Sequence, residues 1–327
     1  MGDAMQEPEF STIIPVFNGE RFVARAIESV LSQTIRPEQI VVVDDGSTDN
    51  TAAMVMQYAS DGVEYIYQDN GGSASARNAG IRAARGKYIG FLDADDEWKE
   101  HLVSDVKGIF EKHPNLVWAT APFVKLFENG DLEYESFVSS DLSGGNLIEN
   151  YFEAQVRFRI CNSSVMFVKR GVFRSVGDFD TTIWRYGEDL DMWFRIALAN
   201  PRIGYTNRIG AVYWRRQGSL MSTYAWDVER QLTRIHKTES HALFIGGPAL
   251  QQSEPLVLDW IWTQIKDAAV QGNKSALEHI SKFYGRRLPM RHRLVLDLTR
   301  FLPFRSLWSA VRKLMTRRSP RPQKKSV

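Results

Sequence analysis

Four apolar runs separated by helix-forming stretches fill the first ninety residues, and this alternation restricts the fold more than any other feature. Ser11–Phe17 (STIIPVF), Gln39–Val43 (QIVVV), Val63–Tyr67 (VEYIY) and Lys87–Leu92 read as strands. Between them, 19–33 places Phe22, Val23, Ala26, Ile27, Val30 and Leu31 on one helical face, 49–58 is a helix capped by Asp49, and 73–85 is a third helix. An all-apolar QIVVV suits a strand covered on both faces. The β-α-β-α-β-α-β rhythm predicts an α/β fold with a doubly wound sheet and right-handed crossovers. Further on, the pattern predicts a helix over 100–113, a strand over 116–127 turning at Glu128–Asp131, a strand over 163–168, a short helix near Val172, and a helix over 187–201. Past Ala225 only helical spacing remains, with Ser253-Glu254-Pro255 read as one helix start and 274–283 as its partner.

The fourth run ends abruptly in the string LDADDEW, so Asp93, Asp95 and Asp96 cluster at a strand's carboxyl end. Ligands bind at that edge in open α/β sheets. Grouped carboxylates repel unless a cation lies among them, and a divalent metal carrying a phosphate ligand meets the need. The same string also reads as a solvated turn. The aspartyl-phosphate phosphotransferases likewise put Asp-x-Asp after a strand, but they want Gly and Thr where this chain has Glu97 and Trp98.

Three other strings carry chemistry. VVVDDGSTDNT (41–51) puts Asp44 and Asp45 after the second strand, where a carboxylate can accept a ring N–H or hold ribose hydroxyls; it also suits a turn and helix cap. DNGGSASARNAG (69–80) enters a helix with free backbone N–H groups and Arg77, a pattern that favours anions but matches no phosphate-loop or dinucleotide fingerprint. Gly187-Glu188-Asp189 opens a helix whose dipole keeps a carboxylate ionised, as a general base requires. Trp184, Arg185 and Tyr186 precede it and could stack on a sugar or pack in the core.

In their order and spacing, IIPVFN (13–18), VVVDDGSTDNT, GGSASARNAG, GKYIGFLDADDEW and VGDFDTTIWRYGEDLDMWFRIA (176–197) resemble the inverting family-2 glycosyltransferases of the GT-A fold. The resemblance covers residues 9–220. It implies a mixed doubly wound sheet flanked by helices, with an α-helical C-terminal extension. It further implies a nucleotide-sugar donor, a UDP-sugar by preference, held by Pro15, Phe17, Asp44, Asp45, Arg77, Asn78, Asp93, Ala94 and Asp95. Asp93, Asp95 and Asp96 would hold Mn²⁺ or Mg²⁺, Asp189 with Glu188 beside it would be the catalytic base, and Trp184 and Tyr186 would face the acceptor near CNSSVMFVKR. No Gln-x-x-Arg-Trp string follows, which implies transfer of a single sugar rather than processive synthesis. Where many relatives carry a His, VYWRRQGSLMS offers Arg215, Arg216 and Gln217. Two alternatives are a catalytically silent nucleotide-sugar-binding scaffold and a nucleotidyltransferase; the latter wants a Gly-rich basic loop where IIPVFNGERF stands.

Charge divides the chain. Residues 286–327 hold 13 of the 41 Lys and Arg residues and one of the 39 acids, Asp297; the rest has 28 basic against 38 acidic residues. Pro303–Met315 reads as an amphipathic helix, with Phe304, Leu307, Trp308, Val311, Leu314 and Met315 on one face and RRSPRPQKK following. This suits an anionic membrane surface, while packing on the body is the alternative. The charge alone would permit nucleic-acid binding, but no recognition motif supports it. The expected domains are 1–225 (catalytic), 226–299 (helical) and 300–327 (basic tail). The single Cys161 excludes an intramolecular disulfide and suits a reducing cytosol. No basic-then-apolar leader opens the chain, and no apolar run is long enough to span a bilayer. The expected location is therefore the cytoplasm, at the inner face of the cell membrane.

Overall fold

The computed structural model describes residues 9–135, 146–183, 187–215 and 227–301. The chain divides into two compact units at Thr223 and Tyr224.

In the first unit, β1 (Phe10–Val16), β2 (Gln39–Asp44), β3 (Val63–Tyr67) and β4 (Tyr88–Phe91) alternate with α1 (Val23–Leu31), α2 (Thr51–Met56) and α3 (Gly72–Ala83). β5 (Glu97–Trp98), α4 (Leu102–Lys112), β6 (Trp118–Thr120), β7 (Phe123–Phe127), β8 (Leu132–Glu135), β9 (Leu147–Ile148) and α5 (Tyr151–Phe158) follow. Next come β10 (Phe167–Lys169), α6 (Phe173–Val176), α7 (Glu188–Ala199), β11 (Ile203–Tyr205) and β12 (Ala211–Arg215). The large sheet runs β3-β2-β1-β4-β10-β6-β11-β9 and a small one runs β5-β12-β7-β8. β1 to β4 pair in parallel, while β10 lies antiparallel between β4 and β6. The sheet is therefore mixed.

Alternation along β2 explains why both faces carry helices. Ile40 and Val42 pack with Val23, Ile27 and Val30 of α1, while Val41 and Val43 pack with Ala76 of α3. On that second face Gly80 lets α3 approach β1, since a Cβ there would lie 2.4 Å from Ile13 Cγ2.

The expected strand over 116–127 is two strands in two sheets. Pro122 lacks the N–H that a continuous ladder needs; β6 stays in the large sheet and β7 joins the small one. Residues 163–165 form a 3₁₀ turn, so β10 begins only at Phe167. Asp49 lies one residue before the cap position, where its Oδ1 accepts the Thr51 backbone N–H at 3.0 Å. The Glu128–Asp131 turn is present, with Gly130 at φ +84°.

The second unit holds α8 (Val228–Ile245), α9 (Gly247–Gln271), α10 (Lys274–Tyr284) and α11 (Met290–Phe301). Pro255, expected at a helix start, lies inside α9, which begins instead at Gly247 with a proline in its first turn. None of the described helices is long and apolar enough to cross a membrane. The amphipathic segment over 303–315 lies outside the described residues.

Candidate active site at the carboxyl edge of the sheet

The register sets Val16 beside Asp44 and Asp44 beside Tyr67, so β1, β2 and β3 end level. Pro15 is half-buried beside Val43, whereas Phe17, just past β1, is 51% exposed.

The two acids after β2 differ. Asp44 is buried; its Oδ1 accepts the Ser47 N–H at 2.8 Å and its Oδ2 accepts the Tyr65 hydroxyl at 2.8 Å. It closes the turn. Asp45 fastens the Gly-rich loop: Oδ1 accepts from Gln68 Nε2 (2.6 Å) and the Gly71 N–H (2.9 Å), and Oδ2 from the Gly72 N–H (2.8 Å). The loop's backbone donors at 71 and 72 thus already face a carboxylate.

Arg77 links parts of the chain that are far apart in sequence. Its guanidinium is 5% exposed and donates 2.8 Å to Glu188 Oε1 and 2.7 Å to Asp93 Oδ1. Burial alone would lower its pKa, but Asp93 and Glu188 more than offset this and raise it. Ser73 Oγ donates to the same Glu188 oxygen at 2.5 Å. Asn78, expected near the nucleotide, forms a reciprocal pair with the Phe179 backbone, 2.8 Å in each direction. The loop before α7 is thereby clamped to α3. Arg195 secures it from the other side, with Nε on Asp191 Oδ2 and its terminal nitrogens on the carbonyls of Val176 and Asp178.

Gly187 caps α7 at φ +88°, a left-handed conformation that glycine adopts without strain. Glu188 and Asp189 then occupy the first turn. Asp189 is half-buried, and burial followed by the neighbouring Glu188 pushes its pKa up to about 6, against the lowering effect of Arg77. Its Oδ2 accepts the Ser163 hydroxyl at 3.1 Å.

Asp93, Asp95 and Asp96 diverge despite their adjacency. Asp96 is fully buried; Oδ2 accepts the Ser164 hydroxyl at 2.5 Å and Oδ1 the Trp214 N–H at 3.1 Å, and burial followed by Asp95 and Asp93 raises its pKa well above the carboxylate range. Both of its oxygens already have protein donors, so it braces β12 against the 163–165 turn rather than joining its neighbours as an open ligand. Among the described residues no group of three or more His, Cys, Asp or Glu side chains is gathered for a metal. Asp93, with Oδ1 on Arg77, and half-buried Asp95 remain. Such a pair still fits Mg²⁺ or Mn²⁺, which take one or two carboxylates and complete their shell with phosphate and water. Ala94 is half-buried between them.

Sequence reasoning missed the 163–165 turn. Ser163 reaches Asp189, while Ser164 reaches Asp96 and accepts the Asp93 N–H at 3.2 Å. The available signal was Asn162, whose Oδ1 caps the turn at the Ser164 N–H. Cys161 is half-buried; burial, then Asp189, keeps its thiol pKa well above normal. Trp184, Tyr186, Arg216 and Gln217 lie outside the described residues.

The profile of glycosyl transferase family 2 matches residues 11–177, just over half of the chain, from β1 through α6. The chain belongs to glycosyl transferase family 2. It is 27% identical over 249 residues to an uncharacterized glycosyltransferase of Rickettsia typhi, covering 73% of this chain and 71% of that protein. Against the minor teichoic acid biosynthesis protein GgaB of Bacillus subtilis it is 39% identical over 112 residues, 33% of this chain but 12% of that protein. The chain covers 33% of several other rickettsial relatives. Among solved structures, Staphylococcus aureus TarS 1-349 in complex with UDP-GlcNAc superposes with a TM-score of 0.73 at 17% identity, covering 95% of this chain and 93% of TarS 1-349. The family's GT-A fold is thus the fold of this chain, a mixed sheet flanked by helices with a helical C-terminal region.

Proposed function

We propose that this glycosyltransferase moves one sugar, with inversion, from a UDP-sugar to a hydroxyl of a glycan or lipid-linked acceptor in surface polysaccharide assembly. Half-buried Asp189 carries the reading. With a pKa near 6 it is ionised at neutral pH yet retains appreciable affinity for a proton, as a general base should. Asp189 removes the acceptor hydroxyl's proton as that oxygen attacks the anomeric carbon. The bond from that carbon to the diphosphate oxygen breaks with its electron pair, and UDP departs. Ser163 holds the base, and Glu188, fixed by Arg77 and Ser73, stays turned into the fold.

Pro15, Phe17 and Asp45 would take the nucleotide base. Asp93 and Asp95 would hold Mn²⁺ or Mg²⁺, whose charge would lie against the diphosphate. TarS has been seen with UDP-GlcNAc and GgaB is named for teichoic acid biosynthesis, so UDP-N-acetylhexosamines head the donor panel. Calorimetry with UDP should show binding that needs Mn²⁺ or Mg²⁺ and weakens about tenfold or more in Asp95→Asn. UDP binding that survives metal chelation undiminished would remove the metal from this reading, and absence of Mn²⁺-dependent turnover or hydrolysis of any UDP-sugar would favour a silent binder.

The basic C-terminal segment supports a location at the inner face of the cell membrane. Full-length protein should sediment with anionic vesicles at low salt and a chain truncated at 300 should not, because each cation near such a surface contributes about 1 kcal/mol. Equal sedimentation of the two would end that part of the proposal.

A further inference from the structure

Two imidazoles meet inside the C-terminal helical unit, apart from anything the transfer reaction uses. His236 on α8 and His279 on α10 point their Nε2 atoms at each other, 3.1 Å apart, with ring centroids at 5.3 Å. His236 is oriented from behind. The Tyr284 hydroxyl donates to Glu239 Oε2 at 3.1 Å, so its oxygen is left to accept from His236 Nδ1, 3.0 Å away. That chain of bonds puts the ring proton on Nδ1 and turns the lone pair of Nε2 toward His279. Arg287 steadies the relay by pairing with Glu239 and Glu254. Burial, then His279, lowers the pKa of His236.

Metal-binding histidines share these features. The ligating ring commonly donates its other N–H to a fixed oxygen, often backed by a carboxylate. Two nitrogens at 2.0–2.1 Å from a tetrahedral centre lie about 3.3 Å apart, close to the observed spacing. Imidazole pairs suit Zn²⁺, Ni²⁺ and Cu²⁺ rather than the hard cations expected at the aspartates. Both rings are half-buried, so an ion can enter and water can complete its shell.

We propose that His236 and His279 form a two-histidine site for a transition-metal cation of the Zn²⁺ class, clasping α8 to α10. Binding needs both Nε2 atoms bare, so the proton that His279 Nε2 shares with His236 leaves for solvent while His279 Nδ1 takes one up, and both rings stay neutral.

The test uses the full chain, stripped with chelator and titrated with zinc chloride at pH 7.5. Wild-type protein should bind zinc calorimetrically and melt a few degrees higher with saturating zinc. His236→Gln and His279→Gln should each lose that shift, while His241→Gln on the same helix keeps it. On wild-type protein alone, zinc should protect His236 and His279 from diethyl pyrocarbonate, read by mass spectrometry, so that a poorly folding variant does not decide the matter. Zinc binding that persists in both variants, or unprotected histidines at saturating zinc, would overturn the site.

Discussion

Replacing Asp189 by Asn should lower sugar transfer by about 10²–10⁴-fold while leaving UDP affinity nearly unchanged. The substitution keeps shape and the acceptor oxygen for the Ser163 hydroxyl, and it removes only the basic group. The wild-type rate should rise with pH through about 6, because the active form is the ionised one and burial and Glu188 hold the proton that far up. The same shift has a consequence for stability, with opposite sign. Asp189 binds its proton more tightly folded than unfolded, so its contribution is fully present below about pH 4 and is lost as pH rises through 6. At neutral pH the folded chain carries a half-buried charge it would be more stable without. Asp189→Asn should therefore melt no lower than wild type, and a drop of several degrees, or near-normal turnover, would contradict the assignment.

Arg77→Met should be the most destabilising change at this edge, by about 3–5 kcal/mol, since it strands the Glu188 carboxylate in a buried setting and takes the partner from Asp93. Urea unfolding of wild type and variant reads this directly. Arg77→Lys should recover part of the loss but not all of it, because a single ammonium cannot replace a fork that reaches 2.8 Å to one acid and 2.7 Å to the other. The activity profile offers a second readout. Arg77 holds the pKa of Asp189 down, so the rising limb in Arg77→Met should move to higher pH. A variant with unchanged stability and an unmoved limb would show that the bridge matters to neither.

The first hundred residues were legible because each element there is decided locally. QIVVV can only be a covered strand, and the helical face of α1 repeats in register with it. Legibility failed where one residue or one long-range contact decides. Pro122 splits a run that periodicity joins, and Pro255 sits within α9 because α9 has already begun eight residues earlier. The 163–165 turn was read as strand because its two serines look inert until Asp96 and Asp189 are brought to them.

By itself the sequence determined the strand–helix alternation, the family, and the presence of carboxylates where strands end, since these follow from apolar period and from residue order. Tertiary structure alone decided what each carboxylate does. Asp95 and Asp96 are neighbours with identical side chains, yet one is half-buried and the other lies wholly inside between Ser164 and Trp214. Likewise Arg77, read as a hand for an anionic ligand, spans 111 residues to hold Glu188. Burial and charge pairing set the basicity of an acid, and both are properties of the neighbours that folding supplies rather than of the residue.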